Sequence, residues 1–227
     1  MSDPRDAFIQ RVVQGRSFAD VGGLWGVVNE KVSVAHKAGA RQVAMLDISV
    51  PDSPLWPQFR DRMRGQGVPA CREVIVDIAE YHGERFDVVH CSGVLYHHPN
   101  PMMLLSGLRR ATGEHLVLTS AVTQHEISNE LGTYRVQPSG AILVPALNAK
   151  ERAVLAEYWS SIGAGVQGIT EPARYLVHAD NTFDAGPWWW LPTPECMEAM
   201  ACAAGFRVVD RSPAWNNNAH VALLQAI

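Results

Sequence analysis

An open, mainly parallel α/β sheet is the fold class this sequence predicts, and three observations carry that reading. Apolar strand-like runs alternate with helix-like segments about five times over residues 1–121, the rhythm of stacked βαβ units. The first strand runs straight into a glycine-rich turn within Phe18–Gly26 (FADVGGLWG). The chain then closes on a strand, a turn-prone Asn216–Asn218 and a second strand.

Taken in order, residues 3–15 read as a helix, with Asp3 as its cap, Pro4 in its first turn and Gly15 at its exit. Phe18, Ala19 and Val21 make the opening strand. After the glycine turn, apolar positions 27, 28, 32 and 35 share a helical face, which predicts one helix over Val27–Ala38 stopped by Gly39. Strand, glycine turn and helix start form a nucleotide cradle: glycine lets the backbone approach a ligand and the free N–H groups point toward it. An ordinary tight turn would use the same residues.

Gln42–Ile48 is a continuous apolar run holding Asp47, a buried parallel strand. Asp47 stands about 20 residues past the glycine turn, where βαβ nucleotide folds carry an acid for ribose hydroxyls; a plain turn cap is the alternative. A helix over 54–66, a third strand Glu73–Val76 followed by Asp77-Ile78, and a fourth strand Phe86–Cys91 come next. Asn100 and Pro101 start a helix to about Arg110, and His115–Ala121 is a fifth strand. Residues 122–190 change rhythm. One helix is clear there, opened by a capping box of Asn148 and Glu151; the segment is too long for a simple connection and reads as an inserted lid or substrate-shaping cover. Thr193-Pro194 begins a last helix ending at Gly205, before strands Phe206–Arg211 and His220–Ala226.

Composition narrows the classes. A chain of 227 residues fits one domain carrying an insertion. Net charge of −4 and only three lysines argue against a broad nucleic-acid surface, and Arg60, Arg62 and Arg64 read as the solvated face of a helix. No apolar run reaches membrane-spanning length and no signal-peptide core precedes the fold. The four cysteines lack C-x-x-C spacing, so neither a zinc site nor a disulfide framework is expected, and the default location is a reducing cytoplasm.

The order and spacing of FADVGGLWG, MLDIS, VIVDI and FDVVHCSGVLYHHPNP resemble those of the class I S-adenosylmethionine-dependent methyltransferases over nearly the whole chain. The segments GVLYHHPNP and WWWLPTPECMEAMACAAGF look most like the methyl- and carboxymethyl-transfer enzymes of wobble uridine in tRNA and their small-molecule relatives. The resemblance implies a Rossmann-like sheet of seven strands with an antiparallel last strand and an insertion between strands five and six. It implies S-adenosyl-L-methionine as cofactor. Asp20, Gly22, Gly23 and Gly26 would shape the loop around the methionine half, Asp47 would accept from the ribose hydroxyls, and Asp77 would bind the adenine amino group with Ile78 beside the ring. Cys91 and Ser92 would line the floor near the sulfonium. One departure stands out: Leu24 occupies the middle glycine of D-x-G-x-G-x-G, which narrows the loop or forces another backbone path.

Methyl transfer from a sulfonium is an in-line displacement, so alignment and exclusion of water are the main tasks. A hydroxyl acceptor gains from a general base. His97 and His125 follow strands four and five and are the candidates; His98 is expected to face solvent. Tyr96, His178, Trp188 and Trp189 are candidate substrate contacts, His178 standing beside Asp180 and Asn181. Three adjacent tryptophans cannot all enter one core, so one of them is expected on a cavity wall or a dimer contact. The leading reading is methyl transfer to oxygen or nitrogen of a small metabolite, by a chain that can also form a homodimer. A tRNA-modifying transferase is the runner-up. A nicotinamide oxidoreductase would need G-x-G-x-x-G, which GGLWG lacks. A non-catalytic binding subunit would not need Asp20, Asp47 and Asp77 together.

Overall fold

In the computed structural model, which describes residues 3–164, 167–180 and 182–227, helices flank both faces of the central sheet. Helix α1 (Pro4–Val12) is capped by Asp3, whose carboxylate accepts the Arg5 N–H, and Gly15 exits it at φ +72°. Then come β1 (Ser17–Val21), α2 (Val32–Lys37), β2 (Gln42–Asp47), α3 (Leu55–Gly65), β3 (Arg72–Ile75), β4 (Phe86–Ser92), α4 (Pro101–Ala111) and β5 (Thr112–Ala121). The inserted segment holds the hairpin β6 (Glu126–Asn129) and β7 (Gly132–Arg135), then β8 (Ala141–Leu143), α5 (Ala149–Ser161), α6 (Gln167–Thr170) and β9 (Trp190–Pro192), which pairs with β8. Its α5 starts with the capping box of Asn148 and Glu151. Helix α7 (Pro194–Ala203) leads to β10 (Phe206–Ala214) and β11 (Ala219–Ala226).

The central sheet has seven strands in the order β10-β11-β5-β4-β1-β2-β3. Strands β1 to β5 run parallel, and β11 is antiparallel to both β5 and β10. Side chains alternate between the faces, as the pleat requires. Ala44 and Leu46 join Leu104, Leu105 and Leu108 of α4 and Met197 of α7 on one face. Val43 and Met45 join Phe8 and Ile9 of α1 and Trp56 and Phe59 of α3 on the other. Strand β1 lies between β2 and β4, so the order reverses there and opens a crevice beyond the carboxyl ends of the strands.

The single helix expected over Val27–Ala38 is broken in two. A 3₁₀ turn covers Val27–Asn29, and α2 begins only at Val32. Two buried carboxylates impose the break. Asp20 Oδ2 accepts the Lys31 N–H at 2.7 Å, and Glu30 accepts from the Ser33 N–H and hydroxyl at 2.8 and 2.6 Å. Glu30 also pairs with Arg62, so the arginine row of α3 is not simply a solvated face. Arg60 pairs with Glu73 and Arg64 with Asp61. Among the described residues no helix is long and apolar enough to cross a membrane.

One glycine transmits the helix packing to the crevice. Gly107 of α4 lies against the 3₁₀ turn Ile78–Glu80, and a Cβ there would sit 1.8 Å from the Ile78 carbonyl oxygen. Backbone is on the other side, so the contact cannot be relieved by a rotamer change. Gly107→Ala is therefore expected to destabilise the fold by about 1–3 kcal/mol. Gly65→Ala, with nothing within 4 Å of the added carbon, is expected to be neutral or slightly stabilising. Denaturant unfolding of both variants checks the contrast; equal midpoints would remove the packing argument.

Candidate functional site

The crevice at the reversal of strand order is a cavity of about 480 Å³. Its floor comes from strand ends: Val21-Gly22 after β1, Asp47 to Ser49 after β2, Val76 to Ile78 after β3, and Gly93-Val94 after β4. Its cover comes from the inserted segment, through Arg174 and Phe183 to Gly186. His97 and His98 close one side, and Trp25, 88% exposed, stands on the rim.

The glycine turn is built around Asp20. This carboxylate is buried, with Oδ1 2.7 Å from His90 Nδ1 of β4 and Oδ2 on the Lys31 N–H. Gly23 passes so close that a Cβ would lie 2.6 Å from Asp20 Oδ2. Gly22 has φ +75°, and its Cβ would meet Val94 at 2.4 Å. Gly26 also takes a positive φ, 72°, but its Cβ would meet only Asn29, at 3.9 Å. Of these four residues, Gly22 lines the cavity; Asp20, Gly23 and Gly26 lie behind or beside its wall.

Leu24 follows the second of the two paths open to it. Its side chain is fully buried among Phe18, Met45 and Trp56, on the core side of the turn. Its N–H points the other way and donates to Asp47 Oδ2 at 3.2 Å. Burial of a leucine side chain is worth about 1.5–3 kcal/mol, so this residue anchors the turn without narrowing the cavity. Asp47 Oδ1 accepts the Ser49 N–H at 2.9 Å. Each Asp47 oxygen thus has one backbone donor, and a carboxylate has about four acceptor positions, so capacity for a ligand's hydroxyls remains.

Asp77 caps the turn after β3, with Oδ1 on the Ala79 N–H at 2.9 Å. Burial alone would raise its pKa, but the His98 ring and the Ala79 N–H outweigh that and hold it below the ordinary value. His98 is buried, contrary to the solvent-facing position expected for it. Its Nδ1 accepts the Asn100 N–H at 3.0 Å, its Nε2 lies 3.7 Å from Asp77 Oδ2, and its ring meets Phe183 edge to face at 5.0 Å. A histidine one residue before proline is hard to distinguish by pattern from an exposed one; the Phe183 contact spans 85 positions of sequence.

His97 ends the 3₁₀ turn Leu95–His97 and lines the cavity. Its Nδ1 lies 3.0 Å from the Pro187 carbonyl oxygen. Burial pushes its pKa below the ordinary value, offset in part by the Pro187 carbonyl, Asp184 and the Gly186 backbone. Asp184 is itself held low by its hydrogen bond from Arg174, Nε to Oδ2 at 2.7 Å.

The other candidates lie outside the cavity. Cys91 is fully buried in the core, where burial pushes its thiol far up, and Ser92 accepts a hydrogen bond from Arg5 at 3.1 Å. His125 is half-exposed beside Glu195, 3.3 Å away. His178 is exposed on the cover, its N–H on the Thr182 carbonyl; Asn181 lies outside the described residues. Tyr96 is buried and its hydroxyl pKa is pushed up to about 12. It meets Trp188 at 5.4 Å, Trp188 meets Trp159 at 4.8 Å, and Trp189 meets Tyr175 at 5.2 Å. The Trp190 indole Nε1–H donates to the Pro99 carbonyl. Trp188 thus packs against a third apolar cluster, Trp189 meets Tyr175 at the edge of that cluster, and none of the three tryptophans lines the cavity. Most of that cluster comes from the insertion, joined by Tyr96 and Ala121 from the strand ends, and the sequence pattern did not separate it from the sheet's core. Sequence reasoning missed Trp25, Arg174, Phe183 and Asp184; only the exposed tryptophan in the glycine turn carried a local signal. Among the described residues no group of three His, Cys, Asp or Glu side chains is arranged to hold a metal ion.

No family model and no curated protein matches the chain. Solved structures do. Magnesium protoporphyrin IX methyltransferase from Synechocystis PCC 6803, with bound S-adenosylhomocysteine, superposes with TM-score 0.60 at 14% identity, over 99% of this chain and 82% of that one. A 1,6-didemethyltoxoflavin-N1-methyltransferase from Burkholderia thailandensis, with its substrate and S-adenosylhomocysteine, gives 0.58 at 15% identity, over 98% and 76%. The mitomycin 7-O-methyltransferase gives 0.57 at 12% identity, over 99% of this chain, which spans only 53% of that enzyme's length. At such identities the likeness is one of fold, and it agrees with the strand order: this chain has the fold of the class I S-adenosylmethionine-dependent methyltransferases.

Proposed function

We propose that this protein is an S-adenosylmethionine-dependent methyltransferase acting on an oxygen or nitrogen of a small metabolite. The observation that carries the reading is the pair of carboxylates, Asp47 and Asp77, at successive strand ends on one cavity wall where the strand order reverses. A ribose diol and an exocyclic amine are the donors such a pair is suited to accept from. Leu46, Val76 and Ile78 give the same wall an apolar surface for a purine ring. A dinucleotide would also need free backbone N–H groups at the glycine turn and helix start for its pyrophosphate, and here the Leu24 and Lys31 N–H groups are taken by Asp47 and Asp20.

The residues present fit the cofactor. Asp47 would hold the ribose and Asp77 the adenine amino group, with Ile78 against the ring, while Gly22, Gly93 and Val94 face the remaining length of the ligand. When bound, the cofactor supplies an electrophilic methyl on sulfur. The chain's own work is to orient that methyl and keep water away, with Arg174 and Phe183 to Gly186 of the insertion as the cover. A small acceptor suits a cavity roofed by the chain itself. The pairing of Arg60, Arg62 and Arg64 with acids leaves α3 without a free basic row for RNA. The small-molecule O- and N-methyltransferases among the structural neighbours support the same reading.

Thermal unfolding with millimolar S-adenosylmethionine or S-adenosylhomocysteine is expected to show stabilisation, of about 2.7 kcal/mol if the ligand stands at a hundred times Kd. NADH and NADPH are expected to produce none. A shift with the nicotinamides and not with the sulfur compounds would overturn the proposal. At the ribose position, Asp47→Asn is expected to weaken S-adenosylhomocysteine binding by roughly ten- to a hundred-fold, the equivalent of about 1.5–3 kcal/mol for a charged acceptor. Titration calorimetry reads this directly, and unchanged affinity would take Asp47 out of that role.

A further inference from the structure

We propose that Asp3, Arg5 and Asp6 in the first turn of α1, together with Lys31, are positioning residues for the cofactor. From behind the cavity they set the two loops, after β1 and after β4, that form part of its floor. The inference rests on the methyltransferase reading above and assigns these residues a share in its cofactor affinity. None of the four lines the cavity. Lys31 stands where the helix expected over Val27–Ala38 breaks, one residue before α2, and its side chain is 6% exposed. Its Nζ lies 2.9 Å from Asp3 Oδ2 and 2.6 Å from Asp6 Oδ1. Its backbone N–H is the donor to Asp20 Oδ2. One residue thus joins the acids of α1, by its side chain, to the central carboxylate of the glycine turn, by its backbone.

The consequence reaches Asp47 through the turn. Asp20 Oδ2, held by Lys31, lies against Gly23, and the next residue, Leu24, donates its N–H to Asp47 Oδ2. A displacement of Lys31 therefore moves Asp20, the crossing at Gly23 and the donor that orients the carboxylate assigned to the ribose. Arg5 holds the other loop. Its Nε and Nη2 bond Asp3, and its Nη1 donates to Ser92 Oγ, one residue before the Gly93-Val94 floor. The two loops touch where Gly22 passes Val94. Burial raises the pKa of Asp3, but hydrogen bonds from Arg5 and Lys31 outweigh this and hold the carboxyl well below its ordinary value, so it is ionised at pH 7. The cluster balances two cations against two anions. Such a buried pair adds little net stability over an apolar replacement, because desolvation offsets the attraction. What it supplies here is geometry. An ammonium buried between two carboxylates is satisfied only with its chain in place, whereas an apolar side chain would fill the space without fixing where the Lys31 N–H points.

The test separates position from stability in the full chain, using calorimetric titration with S-adenosylhomocysteine, thermal unfolding and backbone ¹H–¹⁵N spectra. The double variant Asp6→Asn/Lys31→Met removes one charge of each sign and leaves Arg5 on Asp3, so no buried charge loses its only partner. It is expected to unfold close to the wild-type temperature yet to bind S-adenosylhomocysteine about tenfold more weakly. The amide signals of Leu24 and residue 31 are expected to move in its ligand-free spectrum. Lys31→Arg, which keeps a cation between the two acids, is expected to bind as the wild type does. So is Arg11→Met, which breaks the exposed pair with Asp210 at the other end of α1. Wild-type affinity in the folded double variant overturns the inference and leaves the methyltransferase reading intact. If the double variant does not fold, Asp6→Asn alone decides: weakened binding in a folded chain supports the inference, and unchanged binding overturns it. Loss of the fold in both assigns the cluster to stability alone and also overturns it. Absence of S-adenosylhomocysteine binding by the wild-type chain overturns the methyltransferase reading, and this inference with it.

Discussion

A carboxylate buried at the end of a parallel strand must be given its hydrogen bonds by whatever packs around it, because leaving such a charge unpartnered costs several kcal/mol. Asp20 obtains its partners from both sides of the strand-order reversal. His90 reaches it from β4 and the Lys31 N–H from the segment ahead of α2. Those two bonds draw the glycine turn down over the strand ends, and only glycine fits where the chain crosses Asp20 at Gly23. With the turn so held, the Leu24 N–H falls on Asp47 and fixes the second acid. The cavity wall is in this sense a consequence of one satisfied carboxylate that never touches the cavity.

The other half of the cavity is made by a segment far along the chain. The insertion packs on a third apolar cluster, shared with Tyr96 and Ala121, in which Trp159, Leu155, Ile142 and Leu191 are buried. Its return stretch then crosses the strand ends and is tied down at several points. The Trp189 N–H donates to the Tyr96 carbonyl at 2.7 Å, Pro187 receives His97, and Phe183 sits on His98. All three ties end on Tyr96 to His98, the short turn after β4. That turn therefore connects the cover to the sheet.

How much of this was legible in the sequence depended on the range of the interactions involved. Caps at Asp3, Asn100, Asn148 and Thr193 were readable because each bonds within a few residues of itself. The acids at strand ends were readable because the βαβ rhythm repeats at a fixed spacing. The helix over Val27–Ala38 was misread: its apolar periodicity is real, but Asp20 and Glu30 claim the backbone and side-chain donors at Lys31 and Ser33 and break it. His98 and the cavity-wall position for a tryptophan were misread for a related reason. Whether an amphipathic ring faces solvent, a ligand or a core depends on what is opposite it, and here the opposite surfaces are Phe183, Tyr175 and Trp159.

By itself the sequence determined an α/β sheet with an antiparallel close, an interruption after its fifth strand, and three acids in the order a nucleoside pocket uses. Local pattern suffices for these, since strand burial, turn chemistry and capping are set within one element or between neighbours. The tertiary structure alone decided which of the acids face the cavity, that Leu24 turns into the core, and that Arg174, Phe183 and Asp184 form the cover. It also decided that both histidines after β4 meet the cavity with Nδ1 already engaged, His97 by the Pro187 carbonyl and His98 by the Asn100 N–H. Each of those outcomes rests on a contact between elements distant in the chain, where packing and the satisfaction of buried polar groups act only once the sheet and the insertion have met.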